Sequence, residues 1–362
     1  MSLVREKIKE LSPSVFLLYA QLLEQIAHPL PALEDATYMR KERNGKAYWI
    51  RRVKIGNTSM DLGLGRETEK LLKAIEQDKV IANELKDEVK VRENLINMLI
   101  SGGLNKLDPL SNRVLSLLES AGVFAAGGVL VGSHAFNVYG NMMGYQFPFE
   151  TTQTADIDLS ISIGISKKTI NLKKAIMDSN LGFSEIPALN RKSPSTSYKI
   201  RNSELKVDLL TPLSGKESSK PVFMPALKLH ATPLRFLDYL LKEPIQAVIA
   251  SGRGILVNVP QPARFAIHKL VLSQRRTITQ QIKVIKDLRQ AASLIEILSL
   301  DRPNDIEAAL VDANNSKSEK FKKQMLLGFE SVCDKGFLST EAISLFKATW
   351  EKVGGEDDYL KI

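Results

Sequence analysis

Three aspartates and one Gly-Ser pair have the types and spacing to do chemistry. In ADIDLSISI (155–163) polar and apolar residues alternate. A strand of period two puts Asp156, Asp158, Ser160 and Ser162 on one face. Ile157, Leu159, Ile161 and Ile163 take the other. The two carboxylates then lie about 7 Å apart, from a rise of ~3.3 Å per residue. Like charges that close repel unless a cation sits between them. Carboxylates together with substrate phosphates are a common way to hold Mg²⁺. An Asp-x-Asp taken alone equally fits an exposed edge strand with solvated acids.

A third acid adds to the pair. LKVDLLTPL (205–213) reads as a strand with Val207 and Leu209 on one face and Asp208 on the other. An aspartate inside an apolar strand is costly to bury without a partner. If this strand lies beside the first, Asp208 completes a three-carboxylate cluster. Two-metal phosphoryl or nucleotidyl transfer uses such a cluster, with Mg²⁺ or Mn²⁺ as the ions.

A phosphate site is suggested upstream. GVFAAGGVLVG (122–132) is an apolar run of strand length, and Ser133 then opens HAFNVYGN, a short helix with Ser133 near its N-cap. A strand, the Gly132-Ser133 turn and a helix N-terminus leave backbone N–H groups aimed at one spot, which suits phosphate.

These residues need elements to carry them. At 362 residues the chain is long for one domain. The pattern divides it into a helix and basic β-hairpin (1–65), a helical region (66–121), an α+β core (122–258) and a helical domain (259–362). In the first region a short strand, Ala47 to Ile55, lies between turn signals at 43–46 and 56–58. In the second, Leu71, Leu72, Ile75, Leu95, Ile96 and Leu99 recur at helical spacing. The fourth opens VPQPARFAIHKLVLSQRR, a helix from Pro262 with Phe265, Ala266, Ile267 and Leu270 in the core. In the next helix Ile278, Ile282, Ile285 and Leu288 form an expected core stripe.

Composition bounds the class. No apolar run approaches the roughly 18 residues of a membrane span, and MSLVREKIKELSPSVF is too charged for a signal peptide. The single Cys333 leaves no disulfide framework or cysteine-based zinc site within the chain. His28, His134, His230 and His268 have no metal-ligand spacing. The expectation is a reduced, cytoplasmic protein without membrane contact. Its formal charge of +9 leans toward a polyanionic partner.

Gly132-Ser133, Asp156-x-Asp158 and Asp208 together resemble the nucleotidyltransferase superfamily with the DNA polymerase β-type core. GKAYWIRRVKIGNTSMDLGLG, LLTPLSG…ATPLRFLDYLL and VPQPARFAIHKLVLSQRR are similar to bacterial nucleotidyltransferase-like proteins. More distantly, the chain resembles abortive-infection type nucleotidyltransferase toxins, which work with an antitoxin. The resemblance implies an α+β nucleotidyltransferase fold, a small mixed sheet with flanking helices. It implies Mg²⁺-dependent transfer of a nucleoside monophosphate from an NTP to an acceptor hydroxyl, with loss of pyrophosphate. The acceptor would be RNA, a tRNA 3′ end being one case, or a protein side chain. A catalytically silent RNA-binding protein on the same fold is the remaining alternative. Asp156, Asp158 and Asp208 would be catalytic and hold the metals, Gly132 and Ser133 would cradle the triphosphate, and Lys269 would neutralise it. The gap from Ser133 to Asp156 exceeds the compact superfamily pattern, so NMMGYQFPFETTQT is expected to form a loop over the site.

Two basic features remain. Lys286-Asp287 resembles a Lys-Asp element of the toxin-like branch; a salt bridge is the alternative role for Asp287. Between Arg40 and Lys54 stand seven basic residues and one acid, Glu42, interleaved with Tyr48 and Trp49. Arg43, Lys46, Trp49, Arg51 and Arg52 are candidate nucleic-acid contacts, since cations with aromatics can hold a phosphate backbone and stack bases. The stretch loosely resembles the arm-type DNA-binding modules of phage integrases. A hairpin packing Trp49 inward and turning a charged face to solvent fits the same residues.

Overall fold

The computed structural model describes residues 3–27, 36–43, 45–55, 58–148, 156–160, 170–179, 181–188 and 193–356. It is a mixed α+β protein, compatible with a nucleotidyltransferase fold. In chain order the N-terminal elements are β1 (Lys9–Glu10), α1 (Pro13–Ala27), β2 (Ala36–Arg43), β3 (Lys46–Ile55), β4 (Thr58–Arg66), α2 (Glu69–Ser101) and α3 (Pro109–Ser120). The expected hairpin is thus a three-stranded antiparallel sheet in the order β2-β3-β4. Thr68 caps α2 through its side chain, which accepts from Leu71 N–H. Ile75, Leu95, Ile96 and Leu99 are buried, whereas Leu72 is exposed. The last turns of α2 join Tyr19 and Leu22 of α1 in a second, smaller core.

The central sheet follows. It is built from β5 (Val129–Val131), α4 (Gly132–Met143), β6 (Tyr145–Gln146), β7 (Asp156–Ser160), α5 (Leu172–Met177), β8 (Phe183–Glu185), β9 (Ser197–Ile200), β10 (Lys206–Pro212), β11 (Val222–Met224) and β12 (Leu229–Leu234). The strand order is β11-β12-β10-β7-β5, with β9 on the first half of β10 and β8 beyond it. β10 lies parallel to both β7 and β12, while β5 runs antiparallel to β7. β6 pairs with β1 outside this sheet. Alternation along β10 is clean: Val207 and Leu209 are buried, and the residues between them are partly exposed.

Two expectations fail here. The run 122–132 is not one strand. Only Val129–Val131 pairs, and 122–127 turn back after α3 with Gly122 and Gly127 at positive φ. NMMGYQFPFETTQT is also not wholly a loop. Asn141 to Met143 end α4, Gly144 terminates it in the left-handed region, and Tyr145 and Phe147 are buried. Residues 149–155, and with them the rest of the expected loop, lie outside the described residues, as does Ser162.

The C-terminal part begins with α6 (Leu237–Leu240) and the hairpin β13 (Ile245–Ile249) to β14 (Ile255–Val259). It continues as α7 (Pro262–Ser273), α8 (Gln281–Asp301), α9 (Pro303–Asn314), α10 (Glu319–Asp334) and α11 (Thr340–Lys352). Pro262 starts α7 as expected, and Phe265, Ala266, Ile267 and Leu270 are buried. The stripe expected on α8 is only half right. Leu288 is buried, but Ile278 and Ile282 are 87% and 88% exposed. A capping box of Thr277 and Gln280 starts a new turn there, so the apolar period runs across a break.

α10 crosses α7 at Gly328. A Cβ at this position would lie 2.4 Å from the Leu270 carbonyl oxygen, and backbone cannot swing aside. Gly328→Ala is expected to destabilise the protein by about 1–3 kcal/mol, read as a lower urea midpoint with an unchanged slope. An unchanged midpoint would mean that the two helices part easily.

Candidate functional site

Backbone register brings the opening residues into one row. On the parallel ladder Asp158 lies opposite Asp208, and Lys206 lies opposite Asp156. On its other edge Asp158 pairs with Val131, the residue just before Gly132-Ser133. Neighbouring strands are about 4.8 Å apart, so Asp208, Asp158 and the start of α4 are consecutive positions across the sheet. The Asp156 and Asp158 side chains lie outside the described ones, and the ladder gives their backbone positions. Ile157 between them is fully buried.

Asp208 is the described acid. Its carboxylate is mostly buried, and one oxygen, Oδ2, accepts from Lys206 Nζ at 2.5 Å. The other, Oδ1, is buried and has no hydrogen-bond partner among the described residues. A buried carboxylate oxygen without a donor is costly. It is also what a hard cation seeks. Among the described residues no group of three carboxylate, histidine or cysteine side chains stands close enough to hold a metal ion; the Asp208 oxygen is the single described donor of the expected set. Lys206 is a site residue that the sequence motifs do not single out. Its signal is there all the same, since a residue two before Asp208 shares its face of the strand.

α4 follows β5 without a loop. Gly132 makes the turn at φ +67, in the region that favours glycine. Ser133 lies near the N-cap as expected, two residues past Val131, which holds that position, and no side chain caps the helix. The first N–H groups of such a helix have no intrahelical partner. Ser133 is buried, and its Oγ accepts from Gln290 Nε2 of α8 at 3.3 Å. His134 packs into the protein: it is buried, with Nε2 3.1 Å from Ser111 Oγ. Burial, only partly offset by the negative charge of Asp108, pushes its imidazole down to about 4. Lys286 lies one helical turn before Gln290 on α8, the residue that reaches Ser133.

Lys269, expected beside the phosphates, stands in an ion-pair cluster. It is buried on α7, with Nζ 2.6 Å from Asp287 Oδ1 on α8. Arg276 reaches the other oxygen at 3.0 Å. Burial alone would raise the Asp287 carboxyl, yet Lys269 and Arg276 outweigh it and hold it below the ordinary range. Lys269 thus has a carboxylate partner where the resemblance implied a phosphate, and Asp287 sits in a buried salt bridge.

The basic arm splits between two faces. Trp49 donates from Nε1 to Glu67 at 2.8 Å, and Arg51 is the cross-strand partner of Tyr38, whose hydroxyl donates to Asp78 of α2 at 2.6 Å. Trp49 and Arg51 therefore stand on the side turned to α2. Arg43, Lys46 and Arg52 stand on the opposite side and are exposed.

A family model described as nucleotidyltransferase matches residues 110–315, 206 of the 362 residues. The match contains α4 with its Gly-Ser start, both aspartate strands, and α7 and α8. No curated protein and no solved structure matches the chain. Among the described residues no helix is long and apolar enough to cross a membrane.

Proposed function

The chain belongs to the nucleotidyltransferase family, and from that premise we propose that it moves a nucleoside monophosphate from an NTP to the 3′ hydroxyl of an RNA. The observation that carries the site is the row Asp208, Asp158, Val131-Gly132-Ser133 across the sheet. It supports carboxylates beside a helix N-terminus, which acid-held cations and a triphosphate both need.

Asp156, Asp158 and Asp208 would hold Mg²⁺ or Mn²⁺. When bound, such ions stabilise the charge that develops on the triphosphate and the leaving pyrophosphate. The chain's own groups do the rest. The N–H groups at Ser133 and the next positions of α4 bind the phosphates. Gln290 holds Ser133 in place through its hydroxyl. Asp208 takes the proton of the acceptor hydroxyl. That oxygen then bonds to the α-phosphorus, the bond to the β-phosphate oxygen breaks, and pyrophosphate leaves. Lys206 balances the charge of Asp208 on its other oxygen.

The test is label transfer from each α-labelled NTP, with total RNA and total protein as acceptors. Label in RNA, with an equal yield of pyrophosphate, is the expected result. Label in protein alone would overturn the acceptor. No label from any NTP would overturn the reaction.

Lys286 supplies the cation beside the phosphates in this reading, because it lies one helical turn before Gln290, which reaches Ser133 at the start of α4, while Lys269 is bonded to Asp287. Lys286→Met should raise KM for NTP about tenfold with kcat little changed, the signature of lost ground-state binding. An unchanged KM in steady-state assays would remove Lys286 from the site.

A further inference from the structure

The N-terminal sheet has a face that the transfer reaction does not use. Cross-strand partners in an antiparallel sheet share a face, and successive residues alternate between faces. The Tyr38–Arg51 and Arg40–Trp49 pairs stand on one face. That face is occupied: Tyr38 bonds to Asp78, while Trp49 and Arg40 both bond to Glu67. The other face carries the row Lys41–Tyr48–Arg66, the pair Arg43–Lys46, and Arg52 beside Asp61. All of these residues are exposed, with Tyr48 at the centre 36% exposed.

The charge on this face is one-sided. Among the described side chains its cations are Lys41, Arg43, Lys46, Arg52 and Arg66, and its one acid is Asp61. Asp61 is spent on Arg52, which donates from Nε at 2.7 Å and Nη2 at 2.9 Å. So much like charge on a small sheet is a cost to the fold that a polyanion would relieve. The aromatic content narrows the occupant. Single-stranded nucleic acid is held by a series of aromatic platforms for successive bases. This face offers one ring among five cations, because Trp49 is turned to Glu67. Its contacts would go to phosphates, as in recognition of a duplex by shape and backbone.

We propose that this outer face docks the base-paired stem of the RNA acceptor. The choice of RNA over DNA rests on the acceptor reading above; the choice of a duplex rests on the face itself. The mounting suits the task. The sheet contacts α2 near Asp78, and α2 is fixed further along, where Arg92 donates to the Gln25 carbonyl of α1 at 2.5 Å. The two points are fourteen steps apart along the helix, roughly 20 Å at 1.5 Å per residue. The stem would be gripped on a projecting platform, leaving its 3′ end outside the grip.

The test uses the full chain and fluorescence anisotropy with three probes of equal length: an RNA hairpin, an unstructured RNA and a DNA hairpin. Two triple variants are compared, Lys41→Glu/Arg43→Glu/Lys46→Glu on the face and Lys317→Glu/Lys320→Glu/Lys323→Glu away from it. Both change net charge equally. The RNA hairpin should bind more tightly than the unstructured RNA. The face variant should weaken it at least thirtyfold and the control less than threefold. The slope of log affinity against log salt should fall by about 2–3 in the face variant, near 0.9 for each phosphate that the protein no longer neutralises. Equal binding of hairpin and unstructured RNA, preference for the DNA hairpin, or equal weakening in both variants would overturn the proposal. Asp208→Asn separates it from the catalytic reading. Hairpin binding without label transfer in the parent protein would sink the reaction and keep the docking. Transfer to RNA at unchanged KM in the face variant would do the reverse.

Discussion

Asp208→Asn should lower nucleotidyl transfer by about three orders of magnitude while the protein stays folded. The carboxylate has two roles in the proposed site, holding a cation through the unpartnered Oδ1 and taking the acceptor proton. An amide keeps the shape and loses both. Lost charge stabilisation of several kcal/mol at the transition state corresponds to that factor, at 1.36 kcal/mol per tenfold. The fold should tolerate the change, because Lys206 is one-third exposed and can turn to water. Two measurements check this together. Label transfer should vanish. In the parent protein Mg²⁺ with NTP should raise the melting temperature by mass action, and in the variant that rise should shrink. Full activity in Asp208→Asn would place the acids elsewhere.

The chemistry of this site was legible where it is local, and hidden where it depends on pairing. Val207-Asp208-Leu209 reads directly, since a single acid in an alternating apolar strand must meet a cation or a donor to be tolerated there. That Asp208 lies opposite Asp158 could only be supposed. A parallel ladder between strands fifty residues apart leaves no local period, and register is set by the whole sheet. Lys206 is easily passed over, because a lysine beside an aspartate looks like ordinary surface charge. The glycines mislead in both directions. Gly122 and Gly127 sit in turns inside what reads as one strand, while Gly63 and Gly65 interrupt the alternation that would signal β4. The exposed Ile278 and Ile282 show the limit of periodicity: the apolar pattern runs from the short turn Ile278–Gln280 into α8 as if the two were one helix. The basic arm shows another limit. Composition alone puts Trp49 and Arg51 among the nucleic-acid contacts, and only the register turns them toward α2.

The cluster Lys269–Asp287–Arg276 gives the largest expected effect on stability. Lys269 and Asp287 are both buried, and their ion pair ties α7 to α8. Removing the acid strands a buried ammonium, so Asp287→Ala should cost about 3–5 kcal/mol. Replacing both by apolar residues of similar volume, as in Lys269→Met/Asp287→Leu, should recover much of that loss, because the desolvation cost of both charges disappears. The pH dependence has a definite sign. The folded-state Asp287 carboxyl is held below its unfolded value. Its contribution is therefore complete above the unfolded pKa of about 4 and is lost as pH falls through the folded value. Asp287→Asn should flatten the acid limb of the stability curve below about pH 4 and lower the neutral plateau. Urea titrations across pH 2 to 7 read both. The same variants decide what Lys269 does. If it serves only to fasten α7 on α8, the Met/Leu pair regains stability and transfer together, since α8 again carries Gln290 and Lys286 to the start of α4. Regained stability with a KM for NTP still raised tenfold would return Lys269 to the phosphates.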